Sequence, residues 1–165
     1  MRVLGIDPGL TLGYGVVERA AGVMRPVALG ALRTDSDQPV AHRLAELRSG
    51  LVRVLAEHSP DAVAIEKVFF SRNVRTAMTV GQASGVALAT AAEFGIEVAS
   101  YTPTEVKQSV VGFGGATKRQ VGSMVASLLG LGSPPRPADA ADAAALAVCH
   151  LNRSGLARSI KEALG

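Results

Sequence analysis

Hydrophobic positions along the chain follow two periods. Val3, Leu4 and Ile6 form a short apolar run that predicts a buried strand over about 2–7, closed by Asp7. A second extended segment covers about 12–19, and a third runs from Val23 to Leu32. Pro26 and Gly30 interrupt the third, and proline suits an edge or a bulge better than a sheet centre. Pro8-Gly9 and Ala21-Gly22 supply tight turns, so the three segments predict an antiparallel meander. From Val40 the spacing changes: Val40, Leu44, Leu47, Leu51, Val54 and Leu55 recur every three or four residues, a helix ended by Ser59-Pro60. Ala62 to Glu66 is then a second short apolar strand that ends in an acid.

Residues 67–75 read as a loop with two adjacent aromatics, Phe69 and Phe70, among Lys67, Arg72 and Arg75. A helix follows over about 76–94, small-sided because of Gly81, Ala83, Ser84, Gly85, Ala87 and Ala89. Each interior glycine costs about 1 kcal/mol relative to alanine, which close approach by another backbone would offset. Residues 96–100 predict a fifth strand, and Pro103 opens a short helix to about Val110. Gly112 to Gly115 is a glycine-rich, flexible loop; Thr117 and Gln120 then fit a capping box for a helix to Leu129. A Gly/Pro linker covers 130–137, and the last clear helix runs from Ala138 to about Leu151. The tail carries Arg153, Arg158 and Lys161 and is read as helical or frayed. The order βββαβαβααα predicts one α/β domain: a five-stranded mixed sheet with helices on both faces, a body over 1–152 and a basic tail over 153–165.

Composition narrows the class. A chain of 165 residues, 48% of them hydrophobic, is long enough for one well-buried core. Charged residues at 19% are few, which favours some surface covered by a partner. The net charge of +3 is weak support for nucleic acid on its own. A single cysteine, Cys149, excludes an intrachain disulfide and a cysteine-built zinc site; its Ala-rich surroundings predict buried packing. No apolar run is long enough to span a membrane and no signal-peptide pattern opens the chain, so a cytoplasmic setting is expected.

Four acids carry the chemistry. Burying an unpaired carboxylate is costly, so Asp7 belongs at its strand's mouth or beside a cation. Asp7 and Glu66 end the first and fourth strands and would emerge at the same edge if those strands pair in parallel. Asp139 and Asp142 are three apart on one face of the last helix and are read as lying in its first turn. Taken alone, that pair is as well explained as helix caps. Four converging carboxylates would raise one another's pKa values, and such a cluster makes physical sense around hard divalent cations such as Mg²⁺ or Mn²⁺. Two such ions can activate water and stabilise the leaving oxygen of a phosphodiester displacement.

The segments Gly5-Ile6-Asp7-Pro8-Gly9, Ile65-Glu66, Asp139-Ala140-Ala141-Asp142-Ala143 and Val106 to Gly112 with Lys118 resemble the RuvC family of bacterial Holliday-junction resolvases. The resemblance covers nearly the whole chain in order. It implies an RNase H-like fold, a homodimer, Mg²⁺-dependent paired nicking of a four-way DNA junction, and cooperation with the RuvA and RuvB branch-migration proteins. It implies that Asp7, Glu66, Asp139 and Asp142 ligate metal, and it points to Phe69 as a base-contacting residue. Lys67 stands where the family pattern has an uncharged residue.

Lys107 and Lys118 flank the glycine loop and suit phosphate contact; ordinary surface lysines would look the same. Phe70, Arg72, Arg75 and Arg119 are further candidates for DNA contact. Gly81 and Gly85 lie one turn apart, either against the chain's own sheet or at a two-fold dimer face. Two rival functions remain in view. An ATP-binding sugar-kinase or actin-like protein shares an Ile-Asp-x-Gly start, but it needs a second domain and a second phosphate loop. A non-catalytic junction-binding or YqgF-like relative shares the fold and is opposed by the full acid set.

Overall fold

A computed structural model describes residues 1–67 and 74–164, with side chains described as far as Leu156. Five strands form one sheet in the order β3-β2-β1-β4-β5. They are β1 (Arg2–Asp7), β2 (Thr11–Ala20), β3 (Val23–Arg33), β4 (Ala62–Glu66) and β5 (Glu97–Tyr101). The β1-β2-β3 meander is antiparallel, whereas β1–β4 and β4–β5 are parallel, so the sheet is mixed as expected. Pro26 lies on the edge strand β3, where the register shifts, because an edge needs fewer N–H donors.

Side-chain alternation divides the sheet into two faces. Leu4, Ile6, Leu12, Val16, Val63 and Ile65 point to one face and pack with Leu47, Leu51, Ala83 and Ala87 of α1 (Val40–His58) and α2 (Val74–Glu93). Val3, Val17, Ala62 and Ala64 point to the other. There they meet α3 (Pro103–Val111), α4 (Lys118–Leu128) and α5 (Ala138–Leu164). The same parity that sends Val3 and Ala62 towards α5 sends Asp7 and Glu66 there too.

Gly5, Gly13 and Gly15 share that second face; Gly5 pairs with Gly15 and Asp7 with Gly13 across β1 and β2. A methyl group at Gly5 would overlap the carbonyl oxygen of Ala143, and one at Gly13 would overlap that of Asp139. At Gly15 it would come within 2.8 Å of the Ala144 Cα. The α5 backbone therefore lies directly on the sheet backbone. Its alanines 140, 143, 144, 145 and 147 are all buried, which is why this helix is so rich in alanine.

Several boundaries differ from the sequence reading. Of the two readings of the tail, helical or frayed, the helical one holds: α5 continues past 151 to Leu164. Asp139 lies in its first turn, but Asp142 is a turn further on. Gly81 and Gly85 do not pack against the chain's own sheet: among the described residues nothing lies within 4 Å of a methyl placed there, whereas the strand glycines make close backbone approaches. The capping box expected of Thr117 and Gln120 is formed, and Thr102 with Glu105 makes a second one that was not anticipated. Cys149 is buried as expected.

Overpacking a contact of this kind costs up to about 3 kcal/mol. Gly5→Ala should therefore destabilise the protein by about that much in urea unfolding, with Gly15→Ala next. Wild-type stability in Gly5→Ala would refute the seating of α5 on β1.

Candidate active site

Parallel pairing of β1 with β4 sets Ile6 opposite Ile65, so the next residues, Asp7 and Glu66, leave the sheet side by side at one edge. The glycine seam brings the start of α5 down onto that edge, with Asp139 against Gly13, the strand partner of Asp7. The four sequence-predicted acids are thus gathered by three separate segments. Asp7 feels all three others: burial, then Asp142, Glu66 and Asp139, raise its pKa from 3.8 to about 7, with only Lys118 opposing. Burial and Asp142 raise Glu66 as well, again against Lys118.

Lys118 is the first residue of α4 and reaches across to Asp142, with Nζ donating to Oδ2 at 2.7 Å. This hydrogen bond, with the charge of Asp142, Asp7 and Glu66, holds the ammonium above its ordinary pKa despite partial desolvation. The Lys118 side chain is 84% exposed, so the pair adds at most about 1 kcal/mol to stability and is free to exchange partners. Lys107 joins from α3. Glu66, Lys107, Lys118 and Asp142 line one cleft of about 200 Å³, floored by Val106, Val121 and Leu146.

The donor set fits a hard divalent cation: carboxylate oxygens from rigid elements, held close enough to raise one another's pKa values, with one lysine as counter-charge. Among the described residues, however, no three Asp, Glu, His or Cys side chains are gathered tightly enough to grip one ion. Gripping one requires the acids to close in and Asp142 to give up Lys118.

The remaining candidates spread outward. Arg119 lies on α4 in a neighbouring groove with Gln120, Ser123 and Met124. Arg75 is exposed in the first turn of α2. Phe69, Phe70 and Arg72 lie outside the described residues. Lys67 is exposed; its N–H donates to the Tyr101 carbonyl, and its charge reaches Glu105 rather than the acid cluster. The sequence reading missed Gly5, Gly13 and Gly15, which position the site. Their signal was present as glycines two apart on one strand, opposite a third.

A mixed five-stranded sheet of this topology, with acids at the ends of β1 and β4 and on the last helix, defines an RNase H-like protein. The family model described as crossover junction endodeoxyribonuclease RuvC matches residues 3–150. The chain belongs to that family. A relative of that name from Chloroflexus aggregans is 55% identical over 91% of this chain and 92% of its own. One from Streptomyces coelicolor is 51% identical over 99% of this chain and 88% of its own. Among solved structures, Thermus thermophilus RuvC in complex with Holliday junction substrate superposes with a TM-score of 0.90. It is 38% identical and covers 95% of this chain and 96% of its own.

The raised pKa of Asp7 has a linkage consequence. A carboxyl whose folded pKa, about 7, exceeds its unfolded value of 3.8 stabilises the fold most below pH 4. That stability is lost as pH rises through about 7. Asp7→Asn carries no such loss. In chelator, the melting temperature of Asp7→Asn relative to wild type should rise by several degrees between pH 4 and pH 8. A constant difference would show that Asp7 is not crowded by the other acids.

Proposed function

We propose that the chain resolves four-way DNA junctions as a divalent-metal-dependent endodeoxyribonuclease, making paired nicks in two opposed strands during recombination and repair. The observation that carries this reading is the convergence of Asp7, Glu66, Asp139 and Asp142 beside Lys118, in a chain of the crossover junction endodeoxyribonuclease family. The similar Thermus protein was solved on a Holliday junction, which supports the substrate class.

Asp7, Glu66, Asp139 and Asp142 would hold two Mg²⁺ or Mn²⁺ ions, which when bound supply an activated water and stabilise the leaving oxygen. The chain's own residues do the rest. Asp7 and Glu66 are carried by strand ends, and Asp142 by a helix pressed onto the sheet, so closing on a metal falls to side-chain torsions and to the release of Asp142 by Lys118. Lys118 exchanges Asp142 for a phosphate oxygen of the strand to be cut. Lys107, lining the same cleft from α3, holds that strand on its other side. Arg75, Arg119, Phe69, Phe70 and Arg72 complete the DNA surface in this reading.

The enzyme acts as a homodimer, which sets one acid site against each of two like strands of a near two-fold junction. The α2 face supports this: Val74, Met78 and Leu88 are exposed, and among the described residues nothing fills the space at Gly81 and Gly85. Residues 1–152 form the nuclease body and 153–165 its basic tail. The protein works in the cytoplasm beside RuvA and RuvB, a reading supported by family membership. Among the described residues no helix is long and apolar enough to cross a membrane.

With a labelled four-way junction and Mg²⁺, wild type should produce paired nicks at symmetric positions, while Asp7→Asn should bind the junction without nicking it. Unchanged cleavage by Asp7→Asn would sink the acid-site assignment; a wild type that binds but never cuts would favour a non-catalytic junction-binding role. Gly85→Leu should weaken self-association at least about tenfold through a clash worth more than 1.4 kcal/mol. Sedimentation as an intact dimer at nanomolar concentration would exclude α2 from the interface.

A further inference from the structure

No acidic residue stands between Glu105 and Asp139. That stretch builds most of α3, the glycine loop and α4, and it carries Lys107, Lys118 and Arg119. In the middle of it sits Phe113, 52% exposed. A lone exposed aromatic is ordinary on a loop, but this loop is hydrogen-bonded back to α3. Gly112 ends α3 at φ +91°, in the left-handed region that favours glycine, with its N–H donating to the Gln108 carbonyl at 3.0 Å. The Gln108 side-chain amide donates back to the Gly112 carbonyl at 2.7 Å, and the Ala116 N–H donates to the Phe113 carbonyl at 3.3 Å.

The two following glycines complete the seat. A methyl at Gly114 would come within 2.8 Å of the Thr104 Cγ2, so the loop lies back along the first turn of α3. A methyl at Gly115 would come within 2.6 Å of the Phe113 ring. The ring therefore lies against bare backbone at Gly115 and is left half open to solvent. Thr104 adjoins Pro103, which lines the acid cleft with Lys107 and Lys118. On the other side the loop leads into the α4 groove through Val111, Arg119, Gln120 and Ser123. An exposed aromatic in a stretch whose charged residues are all basic, on a loop between two grooves lined by Lys107, Lys118 and Arg119, matches the needs of an unstacked strand of DNA: π-face for a base, donors for phosphates.

We propose that Phe113 is a base-stacking residue that packs on a base of the cleaved strand left unstacked at the junction crossover, while Lys118 and Arg119 hold the neighbouring phosphates. This assignment rests on the junction-resolving reading above and adds to it a residue that tells a junction from plain duplex.

The test uses the full chain in the Asp7→Asn background, so that no strand is cut, with a four-way junction and a duplex of the same sequence as probes. Phe113→Ala should weaken junction binding by about 5- to 150-fold, the range expected for loss of one stacked base, and leave duplex binding unchanged. Phe113→Leu, which keeps apolar bulk without the π-face, should behave like Ala, and Phe113→Trp should restore binding. A 2-aminopurine placed at the crossover should be quenched by the parent protein and not by Phe113→Ala. Arg119→Ala should instead weaken junction and duplex alike and flatten the log–log salt slope by about 0.9. Junction affinity unchanged in Phe113→Ala, or fully retained in Phe113→Leu, overturns the proposal; melting curves of both variants separate either result from misfolding. If the parent protein fails to prefer junction over duplex, it is the junction-resolving reading that falls.

Discussion

The contact on which this structure depends is made by atoms that carry no side chain. Where α5 crosses β1 and β2, the backbones touch at Gly5, Gly13 and Gly15, and the facing helix residues are alanines or Asp139. Any larger side chain on either surface would lift the helix by a fraction of a side-chain diameter. A lift of that size would carry Asp139 and Asp142 away from Asp7 and Glu66. The close approach forgoes the area that leucines or valines would bury, and the rest of the α5 face makes this up with Leu146, Val148, Cys149 and Leu151, all buried.

Gathering the acids works against folding. Asp7 stands in the field of three like charges and is largely desolvated, so the fold must hold together what electrostatics would separate. Two features make that tolerable. The acids sit on elements whose positions are settled by the hydrophobic layers on either side of the sheet. And Lys118, on a long exposed side chain at the start of a helix capped by Thr117, brings a positive charge that is mobile enough to leave. The rigid partners and the mobile one thus come from different levels of structure, strand and helix on one side, side-chain torsions on the other.

Much of this was legible in the residues themselves. A buried strand cannot end in an acid without a reason, and two strands that end so, followed by an acid pair on a helix, pointed to a shared edge before any coordinates. The capping box at Thr117 and the edge position of Pro26 follow from equally local rules. What the residues alone leave open concerns glycine. In α2, Gly81 and Gly85 fit either the chain's own sheet or a dimer face, and among the described residues nothing packs on them. In β1 and β2 the glycines carry no local signal of their role, because their meaning depends on a helix more than a hundred residues later. In the glycine loop at 112–115 the backbones of Gly112 and Phe113 are hydrogen-bonded to Gln108 and Ala116, partners that the glycines themselves do not announce. The length of α5 is left open by the residues, since alanine-rich patterning fades gradually into the tail.

That length has a mechanical meaning. At 27 residues, α5 is a rod of about 40 Å that carries acids at one end and the chain's tail at the other. It is pinned part-way along: Arg19 on β2 donates to the Leu151 carbonyl at 2.6 Å and to the Asn152 side chain at 2.7 Å, and Arg153 pairs with Glu105 on α3. These contacts clamp the helix to β2 and α3 between its two ends, so a load on the tail is taken up by strand and helix before it can tilt Asp142.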